Sequence, residues 1–180
     1  MLAIDRGVTH YSHPETNLLK RSARHNVLQP EPAGTRLPDQ LRHCDPGARM
    51  LHAEARGAGM SLSCDVTGAW PEGIFTRHIR SVTAESPRCF VFTDEVELAE
   101  EMSVSFRVNT NHPITVEGAS ARIEGQGAAL IVTPADWSPE EVAADEEGID
   151  GEERPVNLLR LVTPRAKTHL ITTRVEVVPT

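Results

Sequence analysis

Aromatic residues make up only 4% of the 180-residue chain: one Tyr, two Trp and four Phe. That scarcity argues against base-stacking platforms and aromatic sugar-stacking clefts. Positive charge is also short. Lys and Arg total 18 against 26 Asp and Glu, a formal net charge of -8, which excludes a generally basic nucleic-acid surface. No run approaches ~18 apolar residues, so no membrane span is expected. Cysteines are Cys44, Cys64 and Cys89, an odd number without a C-x-x-C pair, which speaks against a disulfide framework or a cysteine-rich zinc site. Met1-Leu2-Ala3-Ile4 meets an acid at Asp5, too short an apolar stretch for a signal peptide.

The negative charge is concentrated. Glu140, Glu141, Asp145, Glu146, Glu147, Asp150, Glu152 and Glu153 form a run without a base, and these eight acids equal the whole net charge. The rest of the chain balances to zero, so the overall sign says little about partners. A solvated acidic loop over about 138–154 is expected. The run lacks the regular acidic spacing of an EF-hand calcium loop.

Strand signals dominate the remainder. Met102, Val104, Phe106 and Val108 alternate with Ser103, Ser105, Arg107 and Asn109, a period-two pattern with one buried face. Leu62, Cys64 and Val66 alternate likewise. Cys89-Phe90-Val91-Phe92 reads as a strand covered on both faces. Ile114 and Val116, Arg122 to Glu124, Ala128 to Thr133, Leu158 to Val162 and Leu170 to Val178 complete the set, with Gly125 and Gly127 as a turn. Only Asp39 to His43 and Pro139 to Ala144 offer a turn or two of helix. Many short strands between turn signals predict an all-β, two-sheet antiparallel β-sandwich, a single domain over 1–180. Cys64 and Cys89 are expected as small core residues. The first thirty residues differ: Asp5, Tyr11 and His25-Asn26 lie among polar residues, where chemistry is most expected.

Other motifs favour bland readings. His10, His13, His43, His52, His78, His112 and His169 show no H-E-x-x-H or H-x-H spacing and read as scattered surface histidines. No G-x-S-x-G surrounds Ser61 or Ser63. Gly57-Ala58-Gly59 reads as a hairpin turn rather than a dinucleotide loop. Arg77 and Arg80 could meet a glycan carboxylate, but salt bridges to neighbouring strands are the stronger expectation.

Taken in order, Ala3-Ile4-Asp5-Arg6-Gly7, Tyr11 and Ser22-Ala23-Arg24-His25-Asn26-Val27-Leu28 resemble the start of the β-sandwich of the heparinase II/III-like polysaccharide lyases. Cys64 to Trp70 with Phe75 to Arg80, then Val91 to Glu95, look like that family's next strands. Ser105 to Thr110 resembles its aromatic-x-hydrophobic-His-Thr strand, with Asn109 where His is usual. The resemblance runs over essentially the whole chain and implies a heparinase II/III C-terminal-like sandwich.

It also implies a function, by analogy alone. The family cleaves uronic-acid polysaccharides by β-elimination: the carboxylate is neutralised, a base removes the C5 proton, and the C4 bond breaks. Most of that machinery lies on a helical toroid preceding the sandwich. The toroid and a His-rich segment before the aspartate turn are expected to be missing here. No catalytic residue is therefore carried over, and Tyr11 does not correspond to the family's catalytic Tyr. Some members hold zinc through a His of that upstream segment, the Asp of the turn and the His of the His-Asn strand. Asp5 and His25 match the last two. Two ligands cannot hold zinc firmly, because a tetrahedral site needs at least three protein groups. Asp5 also reads as a turn residue and His25 as an ordinary, partly buried imidazole.

The implied partners are an acidic polysaccharide, heparin/heparan- or alginate-like, and a helical toroid domain or subunit; nucleic acid and membrane are not expected. The implied compartment is the periplasm or the exterior. Two alternatives stand beside the lyase module: a non-catalytic carbohydrate-binding or structural sandwich, and an assembly module that forms a homo-oligomer.

Overall fold

The computed structural model describes residues 2, 3, 20–34, 36–41, 47–57, 59–147 and 156–180. Eleven strands follow in chain order: β1 (Leu28–Glu31), β2 (Arg49–Arg56), β3 (Gly59–Asp65), β4 (Phe75–Ser86), β5 (Cys89–Thr110), β6 (Ile114–Glu117), β7 (Ser120–Glu124), β8 (Ala128–Ala135), β9 (Glu141–Glu147), β10 (Val156–Val162) and β11 (Ala166–Pro179). All their pairings are antiparallel. The protein is an all-β sandwich, as the alternating pattern predicts.

One sheet runs β2-β3-β4-β5-β11-β8-β7-β6. The second holds β1, the far half of β5, β10 and β9. β5 belongs to both: Cys89 to Leu98 pairs with β4 and β11, and Ser103 to Thr110 pairs with β1 and β10. Between the sheets lies the core. Val96, Ile123, Val132 and Ile171 from the first sheet join Leu28, Val104, Leu159 and Leu161 from the second, each at most 2% exposed. Burying such a side chain contributes about 1.5–3 kcal/mol. Trp70 closes one end, tilted on Phe75 at 5.5 Å, and Phe75 rests on His78 at 4.9 Å.

The core extends only so far. Residues directly opposed on neighbouring strands share a face of the sheet. Along the row Ile171–Asp94–Arg80–Cys64–Met50 the first two are buried, Arg80 and Cys64 are half-buried, and Met50 is 58% exposed. The core-facing side of β2, β3 and β4 thus runs out past the second sheet. This corrects two expectations. Cys64 is not a core residue, unlike the buried Cys89. Phe90, Val91 and Phe92 are only partly covered.

Helical turns fall elsewhere than expected. Among the described residues there is no α-helix, only single 3-10 turns at Ser22–Arg24 and Thr67–Ala69. Residues 39–41 are irregular, and Val142 to Ala144 extend as part of β9. The acidic run therefore opens as a strand, where Glu141 and Asp145 meet Arg160 of β10. Residues 148–155 lie outside the described residues. At the turn before β8 the glycines are required: Gly127 has φ +75°, and a Cβ on Gly125 would meet the Ala128 carbonyl at 3.0 Å and the Leu2 side chain at 2.4 Å.

Candidate functional site

The outward face of the second sheet is its most polar buried surface. Alternation along β5 aims Ser105, Arg107 and Asn109 away from the core, yet they are 0%, 4% and 0% exposed. Residues 20–34 and 36–41 cover them. The sequence predicts one buried face for this strand, and the structure buries both.

Specific hydrogen bonds hold that cover. The Arg107 Nη1 donates to the Ala23 carbonyl at 2.8 Å, Nε to Ser105 Oγ at 2.9 Å and Nη2 to Glu31 Oε1 at 2.9 Å. Asn109 donates from its backbone N–H and its Nδ2 to Asn26 Oδ1. Within the cover, Asp39 Oδ1 accepts from the Ser22 N–H, and Ser22 Oγ accepts from the Gln40 N–H. Gln29 Nε2 donates to the Pro38 carbonyl at 2.9 Å.

Beside this face opens a cavity of about 380 Å³, lined among others by Arg21, Arg24, Arg36, Arg107, Asp145 and Arg160. Arg160 sits opposite Arg107 in the sheet and bonds Asp145 at 3.1 Å and Glu141 at 3.2 Å, with Glu31 at 3.7 Å. Burial pushes its guanidinium down, but Asp145, Glu31 and Glu141 push it up by more, so it stays a fixed cation. No single sequence window reveals this cluster, because strand register and the covering segment together assemble it.

A second ionic cluster lies at the end of the core. The Asp94 carboxylate, 0% exposed, accepts from His78 Nε2 at 2.8 Å and from Arg80 at 2.7 and 2.9 Å. Burial pushes this carboxyl up, and the Arg80 charge with the His78 and Arg80 hydrogen bonds pulls it below its ordinary value. His78 is 2% exposed and Asp94 is sealed, so the triad fixes β4 to β5. This corrects the surface assignment of His78. Arg77 bonds Glu95 at 2.8 Å, so both arginines make the expected cross-strand salt bridges.

Of the predicted metal ligands, Asp5 lies outside the described residues, as do Tyr11, His10 and His13. His25 is half-buried at the end of the Ser22–Arg24 turn, with its N–H on the Ser22 carbonyl. Among the described residues no group of three or more His, Cys, Asp or Glu side chains could hold a metal. One imidazole falls short of the three protein groups that zinc needs. No helix among the described residues is long and apolar enough to cross a membrane.

No family model matches the chain, and no curated protein matches it in sequence. Solved structures do match in fold. A heparan sulfate lyase, HepC, from Pedobacter heparinus superposes with a TM-score of 0.70 at 14% identity, over 99% of this chain and 28% of that one. The heparinase III BT4657 gene product gives 0.65 at 12% identity, over 97% of this chain and 27% of that one. A crystal structure of heparinase III gives 0.62 at 13% identity, with the same coverage. The chain thus spans little more than a quarter of the length of these structures, and at such identities the likeness establishes the sandwich fold alone.

Proposed function

We propose that the chain is the β-sandwich module of a heparinase II/III-like polysaccharide lyase acting by β-elimination on a uronic-acid polysaccharide. One observation carries this: 99% of the chain superposes on a heparan sulfate lyase of which it spans 28%. The order of the sequence resemblance, from the aspartate turn to the Ser105 to Thr110 strand, supports it independently. None of the residues that match the family's motifs corresponds to one of its catalytic groups. The isolated chain is therefore inactive, and turnover requires a helical toroid as another domain or subunit. Asp5 and His25 serve as two zinc ligands, and the third comes from the longer protein. Acidic polysaccharide, whether heparan- or alginate-like, is the substrate, and the periplasm or the exterior is the compartment.

The test is to express the chain alone and with the polypeptide encoded directly upstream, then incubate each with heparan sulfate, heparin and alginate. Unsaturated-uronate absorbance from the longer protein, with silence from the chain alone, is expected. Silence from both on every substrate would overturn the proposal.

One observation favours an assembly role instead. Leu62, Val82, Phe90 and Phe92 lie half-covered on the face that continues the core, beside the exposed Met50 and Met60. Contiguous apolar surface of this kind marks interaction sites. A homo-oligomer without turnover would hide it, and a strictly monomeric sedimentation profile would exclude that role.

A further inference from the structure

We propose that the arginine-lined cavity over the second sheet receives a single anionic group, a sulfate or a carboxylate, of an acidic polysaccharide; the identity of the ligand as a glycan rests on the lyase-module proposal. Five of the chain's sixteen arginines line this one cavity, in a protein of net charge -8. The volume of about 380 Å³ is more than ten times the ~30 Å³ that one water occupies, ample for a charged sugar substituent.

Floor and rim differ in kind. On the floor, Arg107 and Arg160 are immobilised by Glu31, Asp145 and Glu141, so they fix geometry while their charge is largely balanced. Around the rim, leaving Arg24 aside, Arg21 and Arg36 add two cations and Asp39 one anion. Arg36 pairs with Asp39 at 3.3 Å and is 68% exposed, a contact that an incoming anion can displace. Arg21 makes no ion pair among the described residues. The rim therefore keeps an excess of positive charge next to rigid guanidinium planes. Guanidinium forks match carboxylate and sulfate oxygens bidentately, which suits an oxyanion better than a diffuse polyanion.

Charge of the opposite sign sets the selectivity. Asp145 lines the same cavity and Glu141 stands beside it on β9. A uniformly charged polyanion laid across this face would meet those carboxylates. A glycan that inserts one anionic substituent and points its next one away would not. Such a contact positions the chain of sugars and performs no chemistry.

Binding titrations on the full chain at low salt test this, with a heparan sulfate oligomer, an alginate oligomer and an uncharged glucan oligomer. Inorganic sulfate and phosphate serve as competitors. One or both acidic oligomers bind and the glucan does not. The double variant Arg21→Ala/Arg36→Ala weakens binding by about tenfold or more, as loss of charge-assisted hydrogen bonds requires. Arg49→Ala/Arg88→Ala, which removes one exposed arginine of β2 and one of the β4–β5 turn, changes it by no more than about twofold, as for a screened distant charge. Circular dichroism verifies that both variants are folded. Equal losses in the two variants, no loss in either, or no binding of any acidic oligomer overturns the cavity assignment. None of those results touches unsaturated-uronate production by the longer protein. Arginine-dependent binding without such production would instead overturn the lyase reading and leave the anion site standing.

Discussion

Asn26 Oδ1 accepts two hydrogen bonds from Asn109, one from the backbone N–H at 2.7 Å and one from Nδ2 at 3.0 Å. This amide pair fastens the segment before β1 to the outward face of the second sheet. It joins the polar N-terminal stretch to the far end of β5. Asn26→Ala strips a buried N–H of its acceptor. It should lower stability by about 1–3 kcal/mol. Proteolysis near residues 20–26 should accelerate in the same variant, and thermal melting with limited digestion reads both effects.

Arg107 and Glu31 form a pair that is 4% and 18% exposed. Either single change, Arg107→Met or Glu31→Gln, leaves a partner charge nearly buried and should cost about 3–5 kcal/mol. The double variant should lose less than the two singles together, with a coupling of about 0.5–3 kcal/mol in urea unfolding. Additive losses would show that the pair does not interact.

Acid should destabilise the protein in two limbs. Burial holds His169 below its ordinary value of 6.5, so the unfolded chain takes up this proton more readily than the native one. Stability from that site is complete above pH 6.5 and falls as pH drops below it. Asp94 is also held low, here by Arg80 and His78 against its burial. Its contribution is complete above pH 3.8 and falls as pH drops through the lower folded-state value. His169→Gln should flatten the first limb and Asp94→Asn the second, read as urea midpoints against pH. The Asp94 variant should also be weaker throughout, because it leaves Arg80 without its buried carboxylate.

Zinc should follow the third ligand. The isolated chain, offering Asp5 and His25, should retain no stoichiometric metal after gel filtration. The longer protein should retain about one zinc, as a three-ligand site would. His25→Ala in that longer protein should abolish retention. Tight zinc in the isolated chain would contradict the two-ligand assignment.

Strands β3, β5 to β8, β10 and β11 were legible from alternating or continuous apolar residues, and the Gly125–Gly127 turn from its glycines; β2 and β9 were not, β9 lying in the acidic run expected as a loop. Nor was coverage. Ser105, Arg107 and Asn109 carry the polarity of a solvent face, and among the described residues it is the segment around Ala23, Asn26 and Glu31 that folds back onto that face. His78 likewise looks like a surface histidine until register sets Arg80 opposite Asp94. The arginine cavity draws on separate stretches of chain whose approach depends on long-range pairing. Short sequence windows report the period of burial and not what arrives from elsewhere to complete it.

β5 serves both sheets, and that has a mechanical meaning. Neither layer can melt while the other keeps this strand, so the sandwich should lose its order in one cooperative step. The edge strands have latitude to fray first, among them the outlying ribbon of β2 and β3. Backbone cleavage anywhere from Cys89 to Thr110 would sever the spine on which both layers hang, whereas nicks in the covering segment before β1 would spare it.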